Sequence, residues 1–99
     1  MNLVKKFYVY ILCNNYKNVI YVGQTSDLKK RIYFHKNKLI AGFTKKYNVD
    51  RLVYYEGWDT LGESIDREKK IKKYDRKRKV QLIITMNPEW IDLYNHISQ

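Results

Sequence analysis

Along this 99-residue chain the spacing of hydrophobic and polar positions changes period several times. Residues 7–12 alternate, with Tyr8 and Tyr10 on one face and Phe7, Val9 and Ile11 on the other, and their aromatic and β-branched content predicts a strand. Turn formers fill Asn14-Asn15-Tyr16-Lys17-Asn18, and residues 19–22 are β-prone again, so an antiparallel hairpin closing at Gly23 follows. After Ser26 or Asp27, either of which can cap a helix, Leu28, Ile32, His35 and Leu39 share one helical face, which predicts a helix over 27–38. Residues 41–48 hold no sustained period and read as a basic, aromatic loop, and 51–57 reads as a third strand. Thr60 with Glu63 three positions later has the form of a capping box ahead of Leu61, Ile65 and Ile71, predicting a helix to about residue 74. Asp75 can cap a further helix carrying Val80, Leu82, Ile83 and Ile84, and Asn87-Pro88 ends it because a residue before proline avoids the helical region. Trp90 to Tyr94 adds a last helical turn. The order β-β-α-β-α-α predicts an α+β fold, a small three-stranded antiparallel sheet flanked by helices. A chain this short supports one modest core, so a single domain over 1–99 is expected.

Composition narrows the class. A hydrophobic fraction of 44% with 15% aromatics excludes a disordered polybasic tail. The one cysteine, Cys13, permits neither an intrachain disulfide nor a cysteine-based zinc cluster and fits a reducing compartment. Met1-Asn2-Leu3-Val4-Lys5-Lys6 lacks the apolar segment of a signal peptide, and no run approaches the roughly 20 apolar residues that span a bilayer. A cytoplasmic protein without a membrane partner is expected.

The net charge of +10 points to an anionic partner, and its distribution sharpens that reading. Residues 67–79 carry nine basic side chains against Glu68 and Asp75, a local +7, whereas residues 80–99 carry −2. Arg67, Lys69, Lys70, Lys72, Lys73, Arg76 and Lys77 thus form a candidate track for a nucleic-acid backbone, extended by Lys45 and Lys46. Charge alone suits a nucleic acid, DNA or RNA, or an anionic membrane surface. Phosphate contacts position a backbone without reading bases, so weak sequence specificity is expected.

Some polar residues stand where the pattern asks for apolar ones. Glu68 falls inside the Leu61-Ile65-Ile71 stripe, where a carboxylate must be paired, bind a metal or line a cleft. Arg31 and His35, four apart, border the Leu28-Ile32 stripe. They read either as an Asp27–Arg31 surface pair beside a packed histidine or as part of a site. Tyr8 and Tyr10 share a face, as do Tyr21 and Gly23 on the paired strand, which gathers phenols near one end of the hairpin.

Together, Tyr8-Val9-Tyr10, Tyr21-Val22-Gly23, Arg31 with His35, Arg67-Glu68 on a later helix and Asn87-Pro88-Glu89-Trp90 resemble the GIY-YIG nuclease superfamily. The likeness is to its small stand-alone bacterial branch, related to the nuclease part of the excision-repair subunit UvrC, and it covers roughly residues 7–93. It implies that Tyr10 and Tyr21 are the paired motif tyrosines, Arg31 the motif arginine, His35 the residue one turn later, and Glu68 the carboxylate that holds Mg²⁺, with Mn²⁺ able to substitute. Tyr8 occupies the place of the motif's glycine. Lys77-Arg78-Lys79-Val80 lacks the asparagine that many active members supply after the glutamate helix. The function implied is a metal-dependent DNA endonuclease that hydrolyses phosphodiester bonds with weak sequence specificity, in repair or recombination. The alternative is a nucleic-acid-binding module that kept the fold without turnover. Tyr21, by resemblance, and His35, with an ordinary pKa of about 6.5, compete for the role of general base, a free phenol of pKa about 10 being a weak one at neutral pH. The sequence gives no indication of protein partners.

Overall fold

The computed structural model describes residues 5–97, so residues 1–4, on which the signal-peptide reading partly rests, lie outside it. Its first strand, β1 (Phe7–Cys13), is the middle one of three: β2 (Ile20–Thr25) and β3 (Arg51–Trp58) pair with it antiparallel, in the order β2-β1-β3. Alternation along β1 sends Tyr8, Tyr10 and Leu12 to one side and Val9, Ile11 and Cys13 to the other, and helices cover both sides. On the first face Leu28 and Ile32 of α1 (Leu28–Lys36) pack with Tyr8, Tyr10, Leu12, Leu52 and Tyr55. On the second, Ile71 of α3 (Leu61–Lys72) and Ile83 of α4 (Arg76–Met86) pack with Val9, Ile11, Val22, Val53 and Tyr54. The expected α+β class and element order are therefore observed.

Local chemistry sets the ends of the elements. Asn14 closes the hairpin, its Oδ1 accepting from the amides of Asn18 at 3.1 Å and Val19 at 3.2 Å. Asp27, Thr60 and Asp75 cap the starts of α1, α3 and α4 by accepting from backbone amides three residues on. The Thr60 hydroxyl also donates to the Glu63 carboxylate at 2.9 Å, so the carboxylate meets the hydroxyl here in place of the Thr60 amide that a full capping box would use.

Four expectations are corrected. Helix α1 ends at Lys36 rather than 38, because Asn37 caps it and Lys38 takes a left-handed φ of 55°, and Leu39 is left 62% exposed instead of on the apolar face. The stretch read as a loop contains one helical turn, α2 (Phe43–Lys46), too short to show a period. Leu61 is 48% exposed, and Ser64 takes the buried place because its hydroxyl accepts from Gln24 Nε2 at 3.0 Å. The last turn is a 3₁₀ segment at Leu93–His96, introduced by Asp92, which accepts from the amides of Tyr94 and Leu52 and pairs with Lys36. No helix of the described residues is long and apolar enough to cross a membrane.

Candidate active site

Gly23 lies opposite Tyr10 in the β1–β2 pairing, and the Tyr10 ring leans over it. A Cβ at Gly23 would stand 2.4 Å from the phenol Cζ and Oη, closer than real Cβ contacts come, so only glycine leaves room for this ring. The phenol thereby reaches over the edge strand β2 while its ring stays buried on the first face. There it meets His35 of α1: Tyr10 Oη and His35 Nε2 are 3.0 Å apart, and His35 Nδ1 lies 3.0 Å from Thr44 Oγ1 of α2. A buried hydrogen-bonded chain therefore joins the middle strand to both short helices of this face, with both imidazole nitrogens engaged.

Tyr21 sits beside this chain, its ring centroid 6.4 Å from that of Tyr10 and 5.8 Å from that of His35. Burial pushes the Tyr10 phenol far above the ordinary range. The charges of Tyr21 and Glu68 act on it in the same direction, and that of Arg31 acts against them. The charges of three side chains from three other elements thus act on one phenol, although α1 and α3 cover opposite faces of the sheet. Arg31 is exposed on α1, and Glu68 is half-buried on α3, where Lys72 one turn on pairs with it at 3.3 Å. Beside Arg31 a cleft of about 470 Å³ opens between the end of β2 and α1, lined in part by Ser26, Lys30 and Phe34.

Burial, then the positive charge of Arg31, lowers the His35 pKa from 6.5 to about 4. The folded state therefore disfavours the imidazolium, and stability that is complete above pH 6.5 drains away as pH falls toward 4. By pH 4 the loss is about 3 kcal/mol, read from that shift. Thermal denaturation followed from pH 7 to pH 4 should be markedly flatter for His35→Gln, whose amide keeps a donor and an acceptor but does not titrate. An equally steep fall in the variant would place the acid sensitivity elsewhere.

The basic residues divide. Lys69, Lys70 and Lys72 on α3, Lys73 at its C-cap and Lys77 on α4 are exposed, as are Lys45 and Lys46 on α2. Arg67 turns to the second face instead, where its Nε donates to Glu56 Oε1 at 2.6 Å and its Nη1 to Tyr74 Oη at 3.4 Å. Burial works to raise the Glu56 carboxyl, but hydrogen bonds from Arg67, Tyr54 and Trp58 outweigh it and hold the group below the usual carboxylate range. Arg76 is likewise engaged, donating to the carbonyls of Asn18 at 3.1 Å and Lys17 at 2.5 Å. Asn87 does not stand in for the asparagine missing after the glutamate helix. Its amide bonds the carbonyls of Val53 and Ile91 and accepts from the Ile91 amide, which closes the end of α4.

Among the described residues no group of three or more His, Cys, Asp or Glu side chains is arranged to hold a metal. Glu68 offers one hard oxygen donor at a partly open position, a donor set suited to Mg²⁺ or Mn²⁺, which keep several waters and take their remaining ligands from phosphate. Sequence reasoning missed Thr44, which sits in a stretch without periodicity and carries no feature that marks it as a partner of His35.

Residues 6–81 match the family described as the GIY-YIG catalytic domain. A UPF0213 protein of Staphylococcus saprophyticus is 39% identical over 79 residues, 79% of this chain and 94% of that protein. A UPF0213 protein of Clostridium perfringens is 42% identical over 77 residues, 77% of this chain and 81% of its own. The solution NMR structure of a UPF0213 protein from Bacillus halodurans superposes with a TM-score of 0.56 at 28% identity, over 87% of this chain and 90% of that one.

Proposed function

This chain belongs to the GIY-YIG family and has its nuclease-type fold, and on that premise we propose that it is a divalent-metal-dependent endonuclease that hydrolyses DNA phosphodiesters with weak sequence specificity, in repair or recombination. The observation that carries the reading is the Tyr10–His35 hydrogen bond with the Tyr21 ring set beside both, the arrangement that the paired motif tyrosines would need. A DNA strand is the substrate that the exposed lysines of α2, α3 and α4 suit.

In this reading Arg31 supplies a planar fork of donors to the phosphate oxygens, which lysine would not reproduce. Tyr10, held protonated by its surroundings and oriented by His35, donates a hydrogen bond to the attacking water or to a phosphate oxygen. His35 is a positioning residue: it is buried and neutral, and both its nitrogens are occupied. That leaves Tyr21, half-buried beside the phenol and acting as its phenolate, to take the proton from water as the water oxygen bonds to phosphorus and the bond to the leaving 3′ oxygen breaks, that oxygen taking a proton from solvent. Glu68 would hold a divalent ion, which supplies Lewis-acid stabilisation of the phosphate charge.

Supercoiled plasmid incubated with the purified protein should accumulate nicked circles with Mg²⁺ or Mn²⁺ and none with a chelator. If plasmid and branched DNA both survive intact with every divalent cation tried, the enzyme reading fails, and a nucleic-acid-binding module without turnover takes its place.

A further inference from the structure

Three aromatic rings lead outward from the site. Tyr21 stacks on Phe43 with centroids 6.3 Å apart and planes 24° apart, and Phe43 meets Tyr47 at 4.9 Å. Phe43 is 47% exposed and Tyr47 44%, so the outer two rings of the ladder stand open to water. The turn that carries Phe43 is anchored at its next residue, Thr44, whose hydroxyl meets buried His35 at 3.0 Å. One turn of helix therefore turns a polar group inward to the Tyr10 chain and an aromatic ring outward against Tyr21. Gly42 makes this possible with φ 110° and ψ −145°, a conformation open essentially to glycine alone. Lys45 and Lys46 are exposed beside the rings, with Lys46 Nζ 5.4 Å from the Tyr47 centroid.

We propose that Phe43 and Tyr47 form a stacking platform for an unpaired DNA base, so that the protein selects strands with a single-stranded segment at the site over continuous duplex. The occupant follows from chemistry. Exposed rings bordered by ammonium groups suit a flat apolar face tied to a phosphate, and an unpaired nucleotide offers both. In duplex DNA each base face is already covered by its neighbours, so the platform gains nothing from it. The ladder begins at Tyr21, which sets the stacked base next to the phosphate that the proposed reaction would attack. This inference rests on the nuclease reading only for that placement, and binding measured in chelator tests it whether or not the protein cleaves.

The experiment measures fluorescence anisotropy of the full chain with a labelled short oligothymidylate and with a duplex of the same length, in EDTA and at fixed salt. Stacking is expected to make Phe43→Leu bind the single strand about 5- to 100-fold more weakly, while Phe43→Trp restores wild-type affinity or better. Duplex affinity should stay constant in both variants, and thermal melts establish that they fold. Tyr47→Ala, at the open end of the ladder, should weaken the single strand selectively as well. The proposal is overturned if leucine and tryptophan at 43 behave alike, or if single-strand and duplex binding fall in step. Tighter binding of RNA of matching sequence, lost in the same variants, would replace DNA as the occupant.

Discussion

Glu68→Gln should reduce divalent-cation-dependent nicking by about 10²- to 10³-fold, the range seen when one element of charge stabilisation is taken from a transition state. Glutamine keeps the size of the side chain and removes the charge that would hold the ion. The fold should hardly notice, since Glu68 pairs with Lys72 one turn away on the same helix. Partly exposed pairs of that kind contribute a few tenths of a kcal/mol. DNA binding in chelator should hold or tighten slightly as the net charge rises by one. A variant that melts like wild type, binds DNA and no longer nicks it would assign the cation to Glu68. Nicking at the wild-type rate would remove Glu68 from the site.

The second large effect should come from a methyl group. In Gly23→Ala the new Cβ would lie 2.4 Å from Tyr10 Cζ and Oη and 2.9 Å from Cε2, so ring or strand must move. The ring is almost wholly buried and its hydroxyl is bonded to His35, so it cannot swing aside without giving up that bond. Overpacking of this type costs roughly 1–3 kcal/mol. In a domain this small each kcal/mol lowers Tm by roughly 4–8 °C. Activity should fall with it, because the displaced phenol would lose its bond to His35 and its place beside Tyr21. Gly62→Ala supplies the contrast: nothing lies within 4 Å of its Cβ position in the first turn of α3, and alanine in a helix is favoured by roughly 0.5–1 kcal/mol. Opposite signs for the two substitutions in one melting series would support the close approach of Tyr10. A Gly23→Ala variant as stable and active as wild type would refute it.

Much of this arrangement is legible in the sequence because its causes are local. Alternation in 7–12 already divides Tyr8 and Tyr10 from Val9 and Ile11, and Thr60 and Asp75 mark the starts of α3 and α4 by side-chain chemistry that needs no tertiary contact. Periodicity fails where the decisive partner is distant. The buried face of α3 passes through Ser64 rather than Leu61 because Gln24, forty residues away, supplies a hydrogen bond. Helix α2 rests on the backbone of Gly42 and on a contact between Thr44 and His35, neither visible as a repeat. Counting charges has the same blindness. Arg67 contributes to the +7 of its segment, yet Glu56 on β3 holds its guanidinium on the second face of the sheet. The lysines, without comparable partners in the core, stay where a helical wheel puts them, on the solvent side.

The pleat of β1 has a consequence for how this chain can change. Tyr8, Tyr10 and Leu12 face α1 while Val9, Ile11 and Cys13 face α3 and α4, so a slip of one residue would exchange the two sets. It would carry the Tyr10 phenol into the packing around Ile71 and leave Val9 or Ile11 opposite Gly23. An insertion or deletion within this strand would therefore damage stability and chemistry in a single event, with no intermediate that keeps one and loses the other. Substitutions at Arg31 or Glu68 have no such tie to the register, so diversification of this protein should proceed through its helices and turns while the length of its middle strand stays fixed.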